Sequence, residues 1–219
     1  HYYLINCYVP NSGQNLERLQ YRIDTWDPGM RNYLNTLQLH KPIIFTGDLN
    51  CGYGDLDIHN PYAKHITKQS GLTPAERNSF KIMLTEGSGY IDSLRYFYPS
   101  ARGQFSYWSQ RSFARPVNKG IRLDYFICSS SLVKSSNSNN SSSDIASVSA
   151  NTSVAAADHV GNEYINKPEP RVLESTATTT NNNTNSTIST PILYDSYILH
   201  EDTVGISDHC PVVLVMQMT

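Results

Sequence analysis

Three short stretches carry the side chains best suited to chemistry. In "FTGDLNCG", Asp48 and Asn50 stand just past the end of an apolar run, where open α/β sheets build ligand sites. The same Gly, Asp and Asn would also suit a plain turn. In "RLDYF", Asp124 lies inside an apolar run between Leu123 and Tyr125, and a carboxylate there needs a cation, a histidine or a metal beside it. One candidate is Arg122, in a structural ion pair. In "SDHCPVV", Asp208 and His209 open another apolar run. A histidine held by a buried carboxylate is locked in one tautomer and stays cationic near neutral pH, able to donate to an oxyanion. Asp124 and His209 meet each other's need, and this pairing is expected.

From Arg95 to Arg122 the chain contains no Asp or Glu, while Arg95, Arg102, Arg111, Arg115, Lys119 and Arg122 are interleaved with Phe105, Tyr107, Trp108 and Phe113. Cations that neutralise phosphates beside aromatics that stack on bases would make a nucleic-acid-facing surface. The alternative is a solvated loop whose aromatics turn into the core.

The elements that must position these groups are visible as apolar runs ending in Pro, Gly, Asn and Asp. "YYLINCYVP", "KPIIFTGDLN", "IRLDYFIC", "ILYDSYILHED" and "CPVVLVMQM" have the pattern of buried strands leading into loops. Leu16, Leu19, Ile23, Trp26, Met30, Leu34 and Leu37 recur at spacings of three and four, predicting one long amphipathic helix. Asp27, Pro28 and Gly29 are expected to kink it. A second helix starts at Thr73, with Pro74 at its first position and Glu76 closing a capping box; Phe80, Met83 and Leu84 form its buried stripe and Gly87 its stop. Strands alternating with helices predict a layered α/β fold rather than a barrel of hairpins.

The chain has 219 residues, a net charge of -2 and 39% hydrophobic residues, enough for one substantial core. Charged residues make up 16%, below the usual ~25%. The deficit lies in a Ser/Asn/Thr-rich tract at residues 129–190, read as a disordered insertion dispensable for activity, so that residues 1–128 and 191–219 form the folded domain. No apolar run reaches the ~20 residues of a membrane helix. The cysteines at 7, 51, 128 and 210 lack CxxC spacing and read as reduced core thiols. The chain opens at His1 inside a strand-like run, as expected of a fragment or a processed product.

"YVPNSG", "GDLN", "LTPAER", "YW", "RLDYF" and "SDHCP", in this order, resemble the carboxyl-terminal half of the exonuclease III type of apurinic/apyrimidinic endonuclease, in the endonuclease/exonuclease/phosphatase superfamily. The resemblance implies a DNase I-like α/β sandwich, of which this chain supplies about half. It implies Mg²⁺-dependent hydrolysis (Mn²⁺ as a substitute) of the phosphodiester 5′ to an abasic site in double-stranded DNA, with 3′-phosphodiesterase or exonuclease side activity. The expected protein is a monomer with no membrane partner, in the nucleus or else the mitochondrion or cytoplasm.

By the same resemblance, Asp48 orients and deprotonates the attacking water and Asn50 positions it, His209 held by Asp124 contacts a non-bridging oxygen, and Tyr8 serves the leaving oxygen. Asp48, Asn50, Asp208 and His209 form the metal network. Asn11, Arg18, Lys64 and Arg111 contact DNA, and Tyr107, Trp108 and Leu123 form the pocket for the base-free sugar. This sequence departs from the pattern at Ile121, where the family commonly has Trp, at Lys64, where a phosphate-binding Asn is expected, and at Gln14 and Arg111. The metal-anchoring Glu of the family lies in an amino-terminal half, so the chain alone is expected to be inactive. Two other readings stand beside this one: a superfamily phosphodiesterase for lipid or inositol phosphates, and a non-catalytic DNA-binding remnant.

Overall fold

The computed structural model describes residues 1–85, 88–133 and 191–218. Four strands form one sheet in the order β1 (Tyr3–Asn6), β2 (Ile43–Asp48), β4 (Asp124–Ser129), β3 (Tyr90–Asp92), and β5 (Pro191–Ile198) pairs with β6 (Val212–Met218) in a separate ribbon. β1 and β2 run parallel, and every other pairing is antiparallel.

Strand alternation sorts the core into layers. Ile43 and Phe45 of β2, with Tyr125 and Ile127 of β4, face the helices and pack with Leu34, Phe80 and Met83. Ile44 and Cys128 face the other way and pack with Leu132 and Leu193, against which Leu214 and Met216 of β6 also lie. Helices thus cover one face of the sheet and the β5/β6 ribbon covers the other. Because Ile43, Ile44 and Phe45 of β2 are buried on both faces, the first half of the strand reads as continuously apolar rather than alternating.

Between β1 and β2 the helical stretch is built from α1 (Leu19–Tyr21), a π-helical turn (Arg22–Trp26) and α2 (Asp27–Gln38). The break lies one turn before the expected kink. Pro28 has no amide hydrogen and crowds the preceding turn, so it sits in the first turn of α2 and the wider turn before it absorbs the misfit. Leu16 is outside the helix, at φ 60. The second helix, α3 (Pro74–Met83), begins as predicted: Thr73 Oγ1 accepts from the Glu76 amide at 3.2 Å, and Glu76 Oε2 accepts from the Thr73 amide at 3.1 Å. The expected stop at Gly87 lies outside the described residues. β3 and the short α4 (Ser93–Phe97) that follows it were not anticipated.

Cys51, Cys128 and Cys210 are buried, Cys7 is half-buried, and all four are free thiols. β4 continues to Ser129 and Leu132 is 1% exposed, so the folded unit extends a few residues past the boundary expected at 128. The remainder of the low-complexity tract lies outside the described residues. Among the described residues no helix is long and apolar enough to cross a membrane.

Candidate active site

The last residue of β2 and the first of β4 meet in antiparallel register, with Asp48 opposite Asp124. Asp124 Oδ2 lies 2.8 Å from His209 Nδ1, so the structure brings the expected pair together. His209 is carried by a turn preceding β6, and its amide donates to Ser207 Oγ at 3.1 Å. Residues 106–108 run between the two acidic and basic partners: Tyr107 exchanges backbone hydrogen bonds with Ile121, the Trp108 amide donates to the Asp208 carbonyl, and the Cys210 amide donates to the Ser106 carbonyl. The Tyr107 and His209 ring centroids are 5.1 Å apart.

The loop after Asp48 is fixed from several sides. Gly47 has φ +122, and a Cβ there would meet the Cys7 carbonyl oxygen at 2.1 Å, so only glycine lets β1 and β2 approach at this point. Asn50 is left-handed at φ 47; its amide donates to Asp48 Oδ1 at 2.9 Å and its side-chain nitrogen to the Val9 carbonyl at 2.9 Å. Asn50 Oδ1 accepts from Asn11 Nδ2 at 2.9 Å, and Asn11 Oδ1 accepts from Ser70 Oγ at 2.9 Å. Below them lies Arg22, 2% exposed, whose guanidinium donates to the carbonyls of Asn50 at 2.6 Å and Leu49 at 2.8 Å. Glu76, fully buried, sits 3.5 Å from Arg22 and accepts from Ser12 Oγ. The capping box that starts α3 therefore also anchors this loop. Sequence reasoning missed Arg22, because an arginine next to an apolar helical stripe carries no local sign of being inward.

Burial raises the Asp48 carboxyl above its ordinary range, and the charge of Asp124 adds to this against the Asn50 amide, His209 and Arg22. Burial by itself would lower His209, but the hydrogen bond and charge of Asp124, with the charges of Asp48 and Asp208, outweigh it and hold the imidazolium above its usual value. The site thus sets a carboxylate of enhanced basicity beside a cation that persists to higher pH. Asp124→Asn removes both the hydrogen bond and the charge and leaves burial in place. His209 in that variant is expected to titrate at lower pH than in the parent, as followed by imidazole NMR; an unshifted or higher titration would contradict this account.

The other predicted residues are distributed unevenly. Tyr8 is 68% exposed, near the loop after Asp48, while Tyr107, Leu123 and Asp208 are half-buried at the site. Lys64 and Arg111 are exposed, and Arg18 is turned toward its own loop, donating to the Asn11 carbonyl at 2.7 Å. Trp108 is a correction: at 2% exposure it belongs to a core cluster with Leu94, Phe105 and Ile198. Its Nε1 donates to Asn118 Oδ1, and the Arg115 guanidinium covers its ring at 4.6 Å. The basic segment is divided between core and surface. Arg122 and Arg95 turn inward to Asp57, Arg122 also pairs with Asp92, and Arg115 donates to the carbonyls of His200, Thr203 and Ser207. Arg102, Arg111 and Lys119 are the members that stay exposed. Asp124, for its part, pairs with His209 and not with Arg122.

The model of the endonuclease/exonuclease/phosphatase family matches residues 3–209. The chain belongs to that family. Over 135 residues it is 43% identical to a protein of Dictyostelium discoideum named DNA-(apurinic or apyrimidinic site) endonuclease, covering 61% of this chain and 36% of that protein. Over 132 residues it is 41% identical to the DNA repair nuclease APEX1 of Danio rerio, covering 60% of this chain and 41% of that protein. Among solved structures, the AP endonuclease of Leishmania major superposes with a TM-score of 0.65 at 30% identity, covering 99% of this chain and 50% of that one. The fold is therefore the α/β sandwich of these nucleases, and the chain spans about half the length of the relatives it matches, or less.

The metal set expected from the family resemblance is incomplete among the described residues. Among the described residues no group of three His, Cys, Asp or Glu side chains is placed to hold a metal ion. His209 has its Nδ1 committed to Asp124, and a hard dication such as Mg²⁺ prefers oxygen donors. The Asn50 amide oxygen already accepts from Asn11. Asp48 and Asp208 remain as carboxylates on this side of the site, and two carboxylates do not make a cage.

Proposed function

We propose that this chain carries the catalytic face of a DNA-repair nuclease that hydrolyses the phosphodiester 5′ to an abasic site in double-stranded DNA. The observation that carries this reading is the facing arrangement of Asp48, held by Asn50, and the Asp124/His209 pair across the β2/β4 junction. Asp48 accepts the proton of a water that attacks phosphorus, and its raised basicity suits that task. The Asn50 amide donates to Asp48 Oδ1 at 2.9 Å and the Asn50 side-chain nitrogen to Asp48 Oδ2 at 3.3 Å, so one residue orients both carboxylate oxygens. His209, as imidazolium, donates to a non-bridging oxygen as negative charge grows there. The bond from phosphorus to the 3′ oxygen breaks, Tyr8 assists that leaving oxygen, and a 3′-hydroxyl remains.

Tyr107 and Leu123 form the apolar wall for a base-free sugar, which is easier to extrude than a paired nucleotide because its stacking is already lost. The exposed Lys64, Arg111 and Lys119 hold the phosphate backbone. A divalent cation, Mg²⁺ or Mn²⁺, would supply charge neutralisation at the phosphate, and its remaining ligands would come from outside the described residues. The protein is proposed to act as a monomer, in the nucleus. Names of the relatives and the buried polar support of Asp48 and His209 speak for this reading over a lipid or inositol phosphatase.

The test is nicking of a duplex with one abasic-site analogue by the protein encoded by the full reading frame that contains this chain. A single incision on the 5′ side of the lesion, absent from the undamaged duplex, is expected. Hydrolysis of inositol phosphates with an intact abasic duplex would refute the reading.

A further inference from the structure

We propose that Ser106 is the positioning residue that sets the Asp124/His209 pair, acting through its hydroxyl. This inference rests on the reading of that pair as part of a hydrolytic site. Ser106 is 0% exposed and belongs to none of the motifs that mark the site in the sequence. Its Oγ accepts hydrogen bonds from two successive backbone amides, Leu123 and Asp124, each at 3.0 Å. Its carbonyl accepts from the Cys210 amide at 2.9 Å, the residue next to His209. One small buried residue therefore connects the start of β4, through its hydroxyl, to the turn that carries the histidine, through its carbonyl.

The sheet explains why this residue is needed. On the β2 side the start of β4 is supported, since the Leu49 amide donates to the Leu123 carbonyl. On the other side β3 reaches only Ile127, Cys128 and Ser129. The outer edge of residues 121–124 is therefore left for residues 106–107, whose amides both donate to the Ile121 carbonyl. In an extended strand successive amides point to opposite sides, so no single carbonyl on a regular partner could accept from both Leu123 and Asp124. The Ser106 hydroxyl does, and it thereby fixes the backbone turn from which the Asp124 carboxylate reaches His209.

Removing the oxygen leaves two buried donors without a partner, which the local backbone relieves by shifting. The Asp124 carboxylate shifts with it, and displacements near 1 Å in a catalytic constellation suffice to cost about 100-fold in rate.

The test, made in the protein encoded by the full reading frame that contains this chain, compares Ser106→Ala with Ser106→Thr, which keeps the hydroxyl. Two signals are read: the hydrogen-bonded His209 Nδ1 proton in NMR spectra, and kcat against KM for abasic-duplex cleavage. Ser106→Ala is expected to lose or broaden the proton signal and to lower kcat about 10- to 100-fold with KM within about 2-fold, while Ser106→Thr keeps both near the parent values. If Ser106→Ala does not fold, Ser106→Cys takes its place, since sulfur fills the space but accepts weakly. A variant without the hydroxyl that keeps the proton signal overturns the proposal, whatever its kcat. If neither the parent nor Ser106→Thr cleaves the duplex, the nuclease reading fails by itself, and the NMR comparison still decides the role of Ser106.

Discussion

His209→Asn is expected to lower turnover on abasic duplex by about 10²- to 10⁴-fold while the affinity for that duplex is largely kept. Asparagine preserves a hydrogen-bonding side chain near the same position but cannot carry charge. What it removes is the cation that Asp124 maintains at 2.8 Å, and a cation counts most when charge develops in the transition state rather than in the bound substrate. Asp48→Asn belongs to the same class, because an amide accepts no proton from water. The pH profile of the parent enzyme follows from the two shifts. Asp48 is raised, so its base form is lost on the acid side sooner than for an ordinary carboxyl, and His209 is raised, so its cation persists further on the alkaline side. The active window is therefore displaced toward higher pH at both limits. Circular dichroism and a binding assay distinguish a catalytic loss from misfolding, and near-normal turnover in a folded His209→Asn or Asp48→Asn protein would refute the roles given to these residues.

The largest loss of stability is expected at a network the chemistry does not use. Asp57 is fully buried and accepts from Arg122 Nε at 2.9 Å and from Arg95 Nε at 3.2 Å, while Arg122 Nη1 donates to Asp92 Oδ1 at 2.9 Å. The Arg122 guanidinium also lies 4.2 Å from the centre of the Tyr125 ring. Removing one partner of such a cluster leaves an uncompensated buried charge, at a cost of about 3–5 kcal/mol. Arg122→Met and Asp57→Asn are each expected to lose stability on that scale in urea denaturation, and the double variant less than the sum. A loss below about 1 kcal/mol in both single variants would mean that the network is not what holds this region. Burial alone would raise Asp57, but Arg122 and Arg95 outweigh it, so its carboxyl is held below the ordinary 3.8. Its stabilising contribution is thus complete above that value and is lost as pH falls through the depressed one, which places acid unfolding on the low side of the usual carboxylate range.

What could be read in advance was whatever the chain states locally. The apolar runs located β1, β2, β4, β5 and β6, and the Thr73 and Glu76 spacing located the start of α3, because periodicity and capping are short-range codes. The Asp124/His209 pair was legible for a different reason: two groups each costly to bury alone imply a partner. Other features were not legible. Arg122 is 65 positions from Asp57 and 30 from Asp92, and in sequence it stands among cations that do face solvent. Arg22 reads as the polar neighbour of a helical stripe, and only the π-helical turn and the depth of the sheet turn it under the loop after Asp48. The family resemblance assigns Trp108 to the pocket wall together with Tyr107, yet neighbours in an extended segment point to opposite sides, and one of the two had to face the core.

The register that sets Asp48 opposite Asp124 has a thermodynamic side. Directly opposed like charges on adjacent strands oppose folding, and here the strand ends are held together by packing and by buried arginines rather than by any attraction between the two carboxylates. The domain therefore carries an electrostatic debt at this junction, part of which the His209 cation offsets. Any positive group brought to the site relieves the rest, so occupancy and fold stability are coupled.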